Sequence, residues 1–174
     1  YIDRADYQGA FELVEAHDNV VVTRTFSKIY GLGGVRLGWA YCPDAVADVL
    51  NRSRNPFNVS SLAQVAGLAA LSDGAFVARA QAHNSRWRAW LSEELRRLGL
   101  SVGESFCNFV LARFPDPVAA DAADRQLKSR GIIVRKMGGY HLPEALRITV
   151  GAEDELRALV HALGEILGLD LGRG

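Results

Sequence analysis

The residue types best suited to covalent chemistry occur together in the short segment Thr25-Phe-Ser-Lys28. If the backbone is extended there, Thr25 and Ser27 share one face, so two hydroxyls point together while Phe26 points into the core. Two neighbouring hydroxyls can hold a phosphate. Lys28 follows directly, and a lysine amine that is sequestered from water can be held in the neutral form that imine formation requires.

The residues after Lys28 add groups that suit a phosphate. Gly31-Leu-Gly-Gly34 lets the backbone approach a ligand closely, and Arg36 offers a planar fork for bidentate phosphate binding. A lone Ser-Lys pair is usually a surface feature and a glycine-rich stretch is usually a turn, but the combined set has the composition of an anchor for pyridoxal 5'-phosphate (PLP). Dinucleotide binding is disfavoured, because the glycines follow the lysine and lack the spacing and downstream acid of that motif.

Arg135 and Arg147 form a second pair of candidate binding residues. Each lies in an apolar segment that is typical of a strand, where an unpaired cation would be costly. Each must therefore meet a substrate carboxylate, a phosphate or an acid of the protein itself. The residues alone leave the internal ion pair open as the alternative to ligand binding.

The helices and strands that must position these residues are predicted from hydrophobic patterns and from residues that begin or end such elements. Asn19–Thr23 is a β-branched run typical of a buried strand, and Arg36–Cys42 is extended again, so Lys28 is predicted on a connection between two strands. Helices are predicted at 43–54, from Ser60 or Ser61 to Leu71, from about Val77 to Leu98 with Gly99 as the stop, at 118–130 and at 153–167, and strands at 108–114, 132–135 and 146–150.

Composition excludes several classes of partner. The chain has 174 residues, and 20 basic side chains balance 20 acidic ones, so no overall charge favours nucleic acid or an anionic membrane. No apolar run reaches the roughly 20 residues of a membrane span and no signal peptide opens the chain, which predicts a cytoplasmic protein. The four histidines and two cysteines lack metal-ligand spacing, so no metal site is predicted.

The segment Thr25–Trp39 resembles the lysine motif of fold-type I aminotransferases, and most of all that of histidinol-phosphate aminotransferases. Segments that are similar to later parts of that family extend the resemblance from about Val20 to Leu167; they are 55–61, 108–111, 131–135 and 146–151. The resemblance implies an α/β fold. Residues 1–78 would be the C-terminal part of a PLP-binding large domain, a mixed sheet with helices on both faces, and residues 79–174 a linking helix with a small α/β domain.

The resemblance also implies roles for single residues. Lys28 would form the Schiff base to PLP, while Thr25, Ser27 and Arg36 would bind the cofactor phosphate. Arg135 and Arg147 would bind the substrate anion, serving the carboxylates of an amino donor in one half-reaction and the substrate phosphate in the other. Gly34 stands where the family often has alanine, which is a small-for-small difference.

The family reaction would be aminotransfer, with glutamate as the amino donor, imidazole-acetol phosphate as the acceptor, and a homodimer as the working unit. A PLP decarboxylase of the threonine-phosphate type and a non-catalytic interaction or regulatory lobe are the alternatives. The family also needs an aspartate opposite the pyridine nitrogen. Asp3-Arg-Ala-Asp-Tyr7 does not fit that position, so we expect the aspartate upstream of Tyr1 and little activity from this piece alone.

Overall fold

A computed structural model describes residues 1–2, 6–7 and 9–169. The chain divides into two compact units, which we call the N-terminal unit (Ile2–Gln81) and the C-terminal unit (Ala82–Gly174, with Tyr1). Both units combine helices with small antiparallel sheets, which agrees with the predicted α/β class.

The described residues of the N-terminal unit form two strands and three α-helices, followed by the first turns of a long helix. These elements are α1 (Phe11–Ala16), β1 (Val22–Thr25), β2 (Gly38–Tyr41), α2 (Asp44–Ser53), α3 (Ser61–Ser72) and the start of α4 (Gly74–Arg97). The predicted cap of α3 is present, since the Ser60 hydroxyl accepts a hydrogen bond from the Ala63 amide at 3.1 Å.

The strand before the lysine motif differs from its prediction. We expected a buried strand at Asn19–Thr23, whereas β1 runs from Val22 to Thr25 and buries only Val22. Its single strand partner among the described residues is β2, whose residues are all exposed, and a two-stranded ribbon covers little of its own surface. In place of the predicted mixed sheet, the described residues of this unit form only an exposed antiparallel pair of strands.

In the C-terminal unit, the described residues form three α-helices and a four-stranded antiparallel sheet. Its elements are the remainder of α4, β3 (Ser101–Val102), β4 (Phe109–Arg113), α5 (Pro117–Ser129), β5 (Arg135–Lys136), β6 (Ala145–Thr149) and α6 (Glu153–Ile166). The strand order is β3-β4-β6-β5. Trp87, Leu91, Leu95 and Leu98 of the predicted apolar stripe are all buried, and so are Leu156, Leu159, Val160 and Leu163 of α6.

Strands β5 and β3 differ from the predicted pattern, since β5 is shorter than predicted and β3 was not predicted. The expected strand at Ile132–Arg135 is wrong except at Arg135, where β5 begins, because residues 132–134 have no ladder partner among the described residues and Ile133 is 74% exposed. Strand β3 has only two residues, which is too short for an alternating pattern to be recognised.

No single helix within the described residues has the length and apolarity to cross a membrane. Helices α3 and α4 pass the same test only when they are taken together, and the chain bends by 75° between them.

Close approach of β1 and β2 depends on a glycine. Gly38 pairs with Thr25, and a Cβ atom at Gly38 would lie 2.8 Å from the backbone oxygen of Arg24. Such a contact with backbone cannot be relieved by a side-chain rotation. The ribbon that leads into and out of the lysine segment is therefore built around a residue without a side chain.

We expect Gly38→Ala to destabilise the β1–β2 ribbon by about 1–3 kcal/mol, the usual cost of overpacking. Gly34→Ala is the matched control, because a Cβ atom at Gly34 meets nothing within 4 Å. Hydrogen exchange of the ribbon amides measures both. Equal protection in the two variants would contradict the steric role of Gly38.

Candidate functional site

Lys28 lies in the turn that connects β1 to β2, as the sequence predicts. The turn is closed by two backbone hydrogen bonds, from the Gly31 amide to the Lys28 carbonyl at 2.8 Å and from the Leu32 amide to the Phe26 carbonyl at 3.0 Å. Gly31 has a φ of +69°, a conformation that glycine adopts without strain. The turn thus presents the Lys28 side chain, which is exposed within this chain, at one end of the ribbon.

The two hydroxyls before Lys28 are arranged differently from the prediction. The strand ends at Thr25 and the chain bends, so Thr25 and Ser27 do not follow the alternation of an extended segment. Instead the Ser27 amide donates a hydrogen bond to Thr25 Oγ1 at 3.0 Å. The Thr25 hydroxyl accepts this bond and keeps its own proton, so it can still donate to an anion.

Arg36 is brought back toward Ser27 through Gly33. The Arg36 guanidinium donates from Nη1 to the Gly33 carbonyl at 2.6 Å, and a Cβ atom at Gly33 would lie 3.3 Å from the Ser27 carbonyl. Arg36 itself has φ 61° and ψ 50°. This left-handed conformation costs a residue other than glycine about 1–3 kcal/mol, and such strain is concentrated at ligand sites.

Helix α3 packs against the residues on either side of the turn. Phe26 is buried, and its amide donates to the Leu37 carbonyl at 3.1 Å. The side chains of Phe26 and Leu37 pack on Gly67 of α3, where an added Cβ atom would overlap Leu37 Cδ2 and lie 3.9 Å from the Phe26 ring. Sequence reasoning missed Gly67, although a lone glycine in an alanine-rich helix is a recognised sign of close packing.

Lys28 differs from the other lysines in its surroundings. The chain has three lysines. Lys128 pairs with Asp124 at 2.7 Å, and Lys136 pairs with Asp121. Within the described part of the chain, Lys28 meets no carboxylate, so its amine is not held by an internal counter-charge.

Arg135 and Arg147 lie side by side in the C-terminal unit. They are direct partners in the β5–β6 ladder and so project from the same face of the sheet. Like charges at directly opposed positions repel each other. Neither arginine forms an ion pair with a carboxylate of the described residues.

The carboxylate of Asp121 pairs with Lys136 and not with either arginine. Lys136 follows Arg135 and, by strand alternation, projects to the opposite face, where it meets Asp121 of α5. The hydrogen bond from Lys136, together with the charges of neighbouring cations, holds the pKa of the Asp121 carboxyl below its ordinary value. The face that carries the arginine pair therefore keeps its positive charge.

Both arginines contact aromatic rings. The guanidinium carbon of Arg147 lies 5.0 Å from the ring centre of Phe109, and that of Arg135 lies 5.6 Å from the ring centre of Tyr140. Arg147 is half-buried, and its Nε is buried without an acceptor among the described residues. A buried unpaired donor costs about 1–3 kcal/mol, so this edge of Arg147 is suited to receive an anion.

The predicted residues thus fall into two sets, one in each unit. Thr25, Ser27, Lys28 and Arg36 are assembled by one turn, and Arg135 and Arg147 by one pair of strands. Residues 3–5 of the segment Asp3–Tyr7, which does not fit the position opposite the pyridine nitrogen, lie outside the described residues.

Comparison with known proteins identifies aminotransferases as relatives of this chain. A family model described as aminotransferase class I and II matches residues 2–163. The chain is similar to the histidinol-phosphate aminotransferase of Paramagnetospirillum magneticum, with 57% identity over 97% of this chain and 47% of that protein. The corresponding enzyme of Rhodospirillum rubrum is 53% identical over 96% of this chain and 46% of its own length. The chain therefore spans about half the length of these curated relatives.

Solved structures agree in fold. The histidinol-phosphate aminotransferase of Sinorhizobium meliloti in complex with pyridoxal-5'-phosphate matches with a TM-score of 0.85 and 29% identity, over 91% of this chain and 44% of that one. An L-threonine-O-3-phosphate decarboxylase from Porphyromonas gingivalis matches with a TM-score of 0.73 and 20% identity, over 91% of this chain and 50% of that one, which speaks for the fold alone. Because the family model covers most of the sequence, the chain belongs to the aminotransferase class I and II family.

Proposed function

We propose that this chain forms the lysine-bearing part of a PLP-dependent aminotransferase that acts on histidinol phosphate, the activity for which the relatives cited above are named. The observation that carries the proposal is the setting of Lys28, an amine without a carboxylate among the described residues, in a turn that also bears two hydroxyls and a guanidinium. We assign residues 1–78 to the PLP-binding domain and residues 79–174 to the linking helix and small domain.

The donor set of the turn fits PLP. Its phosphate is a dianion that needs hydroxyl and guanidinium donors, and Thr25, Ser27 and Arg36 offer these groups. Its aldehyde needs an amine nucleophile, and Lys28 offers an amine that no described carboxylate engages. The left-handed conformation of Arg36 supports the same assignment, since strain of this kind is retained where a ligand uses it.

When bound, PLP supplies an electron sink for bonds broken at the substrate Cα. Lys28 holds the cofactor covalently and, when its amine is freed, removes the proton from the substrate Cα. Thr25, Ser27 and Arg36 fix the phosphate end, so the reacting end cannot turn away from Lys28. The side chains of this turn therefore both hold the cofactor and move the proton.

We further propose that Arg135 and Arg147 bind the anionic groups of the two substrates in turn. Glutamate offers carboxylates and imidazole-acetol phosphate offers a phosphate, and a pair of guanidinium groups can serve both because it recognises charge and planar oxygen pairs. Use of one site by two substrates is the requirement of ping-pong transfer. These substrates, and a homodimer as the working unit, are proposed for the whole protein, since the chain spans 44–47% of the relatives cited.

Lys28→Ala in the full-length protein should abolish the imine absorbance of bound PLP, which lies near the edge of the visible range. It should also lower kcat by roughly 10²–10⁴-fold, because the covalent anchor and the base are lost together. Lys128→Ala is the control, since Lys128 is occupied by Asp124. If the absorbance band persists in Lys28→Ala, another residue holds the cofactor.

Release of carbon dioxide without a keto product would favour the decarboxylase over the aminotransferase.

Arg147→Lys should lower kcat/KM about 10- to 100-fold for both substrates, because the charge is kept but the bidentate fork is lost. Arg113→Lys is the matched control on the same sheet, since Arg113 pairs with Glu144 at 2.7 Å. Steady-state kinetics with each substrate measures both variants. A loss confined to one substrate, or an equal loss in the control, would contradict a shared anion site.

A further inference from the structure

Arg135 and Arg147 of the C-terminal sheet contact aromatic rings, whereas Arg113 and Lys136 of the same sheet pair with acids. We propose that Phe109 and Tyr140 are positioning residues, which fix the guanidinium groups of Arg147 and Arg135 while leaving their N–H donors to a substrate anion. This inference rests on the proposed function, because it explains how the anion site of that function is built.

Strand register brings Phe109 and Arg147 together. In the β4–β6 ladder Phe109 pairs with Thr149 and Leu111 pairs with Arg147, so Phe109 and Arg147 are diagonal neighbours on one face. Diagonal neighbours are about 7–8 Å apart at Cα, within reach of an aromatic ring and a long side chain. The observed distance of 5.0 Å between guanidinium carbon and ring centre is that of a cation–π contact.

A ring can fix this cation without consuming its hydrogen-bonding capacity. A carboxylate partner would occupy N–H donors and neutralise the charge, as Glu144 does through one nitrogen of Arg113 and Asp121 through the amine of Lys136. An aromatic face attracts the cation through its quadrupole and accepts no strong hydrogen bond. Arg147 is accordingly ordered against Phe109 while its buried Nε meets no acceptor among the described residues.

The backbone around Phe109 is itself fixed. The Ser105 hydroxyl donates to the Phe109 carbonyl at 2.6 Å and accepts from the Cys107 amide at 3.2 Å. The buried Asn84 of α4 donates from its side-chain amide to the Cys107 carbonyl at 3.1 Å. The turn that leads into β4 is thus held from both sides, and the ring has a defined place from which to orient Arg147.

Tyr140 has the corresponding place beside Arg135. Its ring centre lies 5.6 Å from the guanidinium carbon, and its hydroxyl lies 3.5 Å from Arg135 Nη2, a long and weak contact. Tyr140 belongs to a short 3-10 turn at Gly138–Tyr140 and is 58% exposed. Because exposed cation–π pairs are weaker than desolvated ones, the effect of Tyr140 should be smaller than that of Phe109.

The test follows the Arg147 Nε–H resonance by NMR while the full chain is titrated with inorganic phosphate. The signal is identified by its loss in Arg147→Lys, and it reports this site alone, so phosphate bound near Lys28 does not interfere. In the wild-type protein we expect an upfield ring-current shift of the Arg147 protons and saturable binding. Phe109→Leu should remove the ring-current shift and weaken binding about three- to tenfold.

Phe109→Tyr keeps the aromatic face and should retain both the shift and the affinity, which a purely space-filling role would not require. Tyr140→Phe should leave binding unchanged, and Tyr140→Leu should weaken it by less than Phe109→Leu does. Wild-type affinity in Phe109→Leu, with phosphate still bound, would overturn the positioning role but not the proposed function. A wild-type Arg147 signal that does not respond to phosphate would contradict both.

Discussion

Ion pairing inside each unit determines which cations of this chain remain available to bind an anion. On the C-terminal sheet and its helices, Asp121, Asp124 and Glu144 engage Lys136, Lys128 and Arg113. Arg135 and Arg147 contact aromatic rings instead. In the N-terminal unit Lys28 likewise meets no described carboxylate. The half-buried Arg147 has a buried Nε without an acceptor among the described residues, so a bound anion would stabilise it.

Much of the helical structure could be predicted because its signals are local. The Ser60 cap, the stop at Gly99 and the apolar stripe around Leu91 are all encoded within a few residues of where they act. Strand boundaries were predicted less well, because a strand extends only as far as a partner does. The segment before β5 has strand-forming residues but no ladder partner, and β1 lies exposed beside a single neighbour.

The candidate site shows the same division between local and distant information. The lysine motif identified Lys28 and Arg36, but it could not show that Ser27 bends back to the Thr25 hydroxyl instead of continuing the strand. Gly67 and Phe109 escaped notice because their roles arise from contacts between segments far apart in sequence. Residue type and spacing identified the chemical groups, and tertiary packing determined their orientation.

The most direct test of the account is to find which side chain of the full-length protein binds PLP covalently. Protein mixed with one equivalent of PLP is reduced with sodium borohydride, digested and mapped by mass spectrometry. We expect the pyridoxyl group on the peptide that contains Lys28, with little on those that contain Lys128 or Lys136. Labelling spread evenly over the three lysines, or no labelling of Lys28, would contradict the assignment of Lys28 as the cofactor lysine.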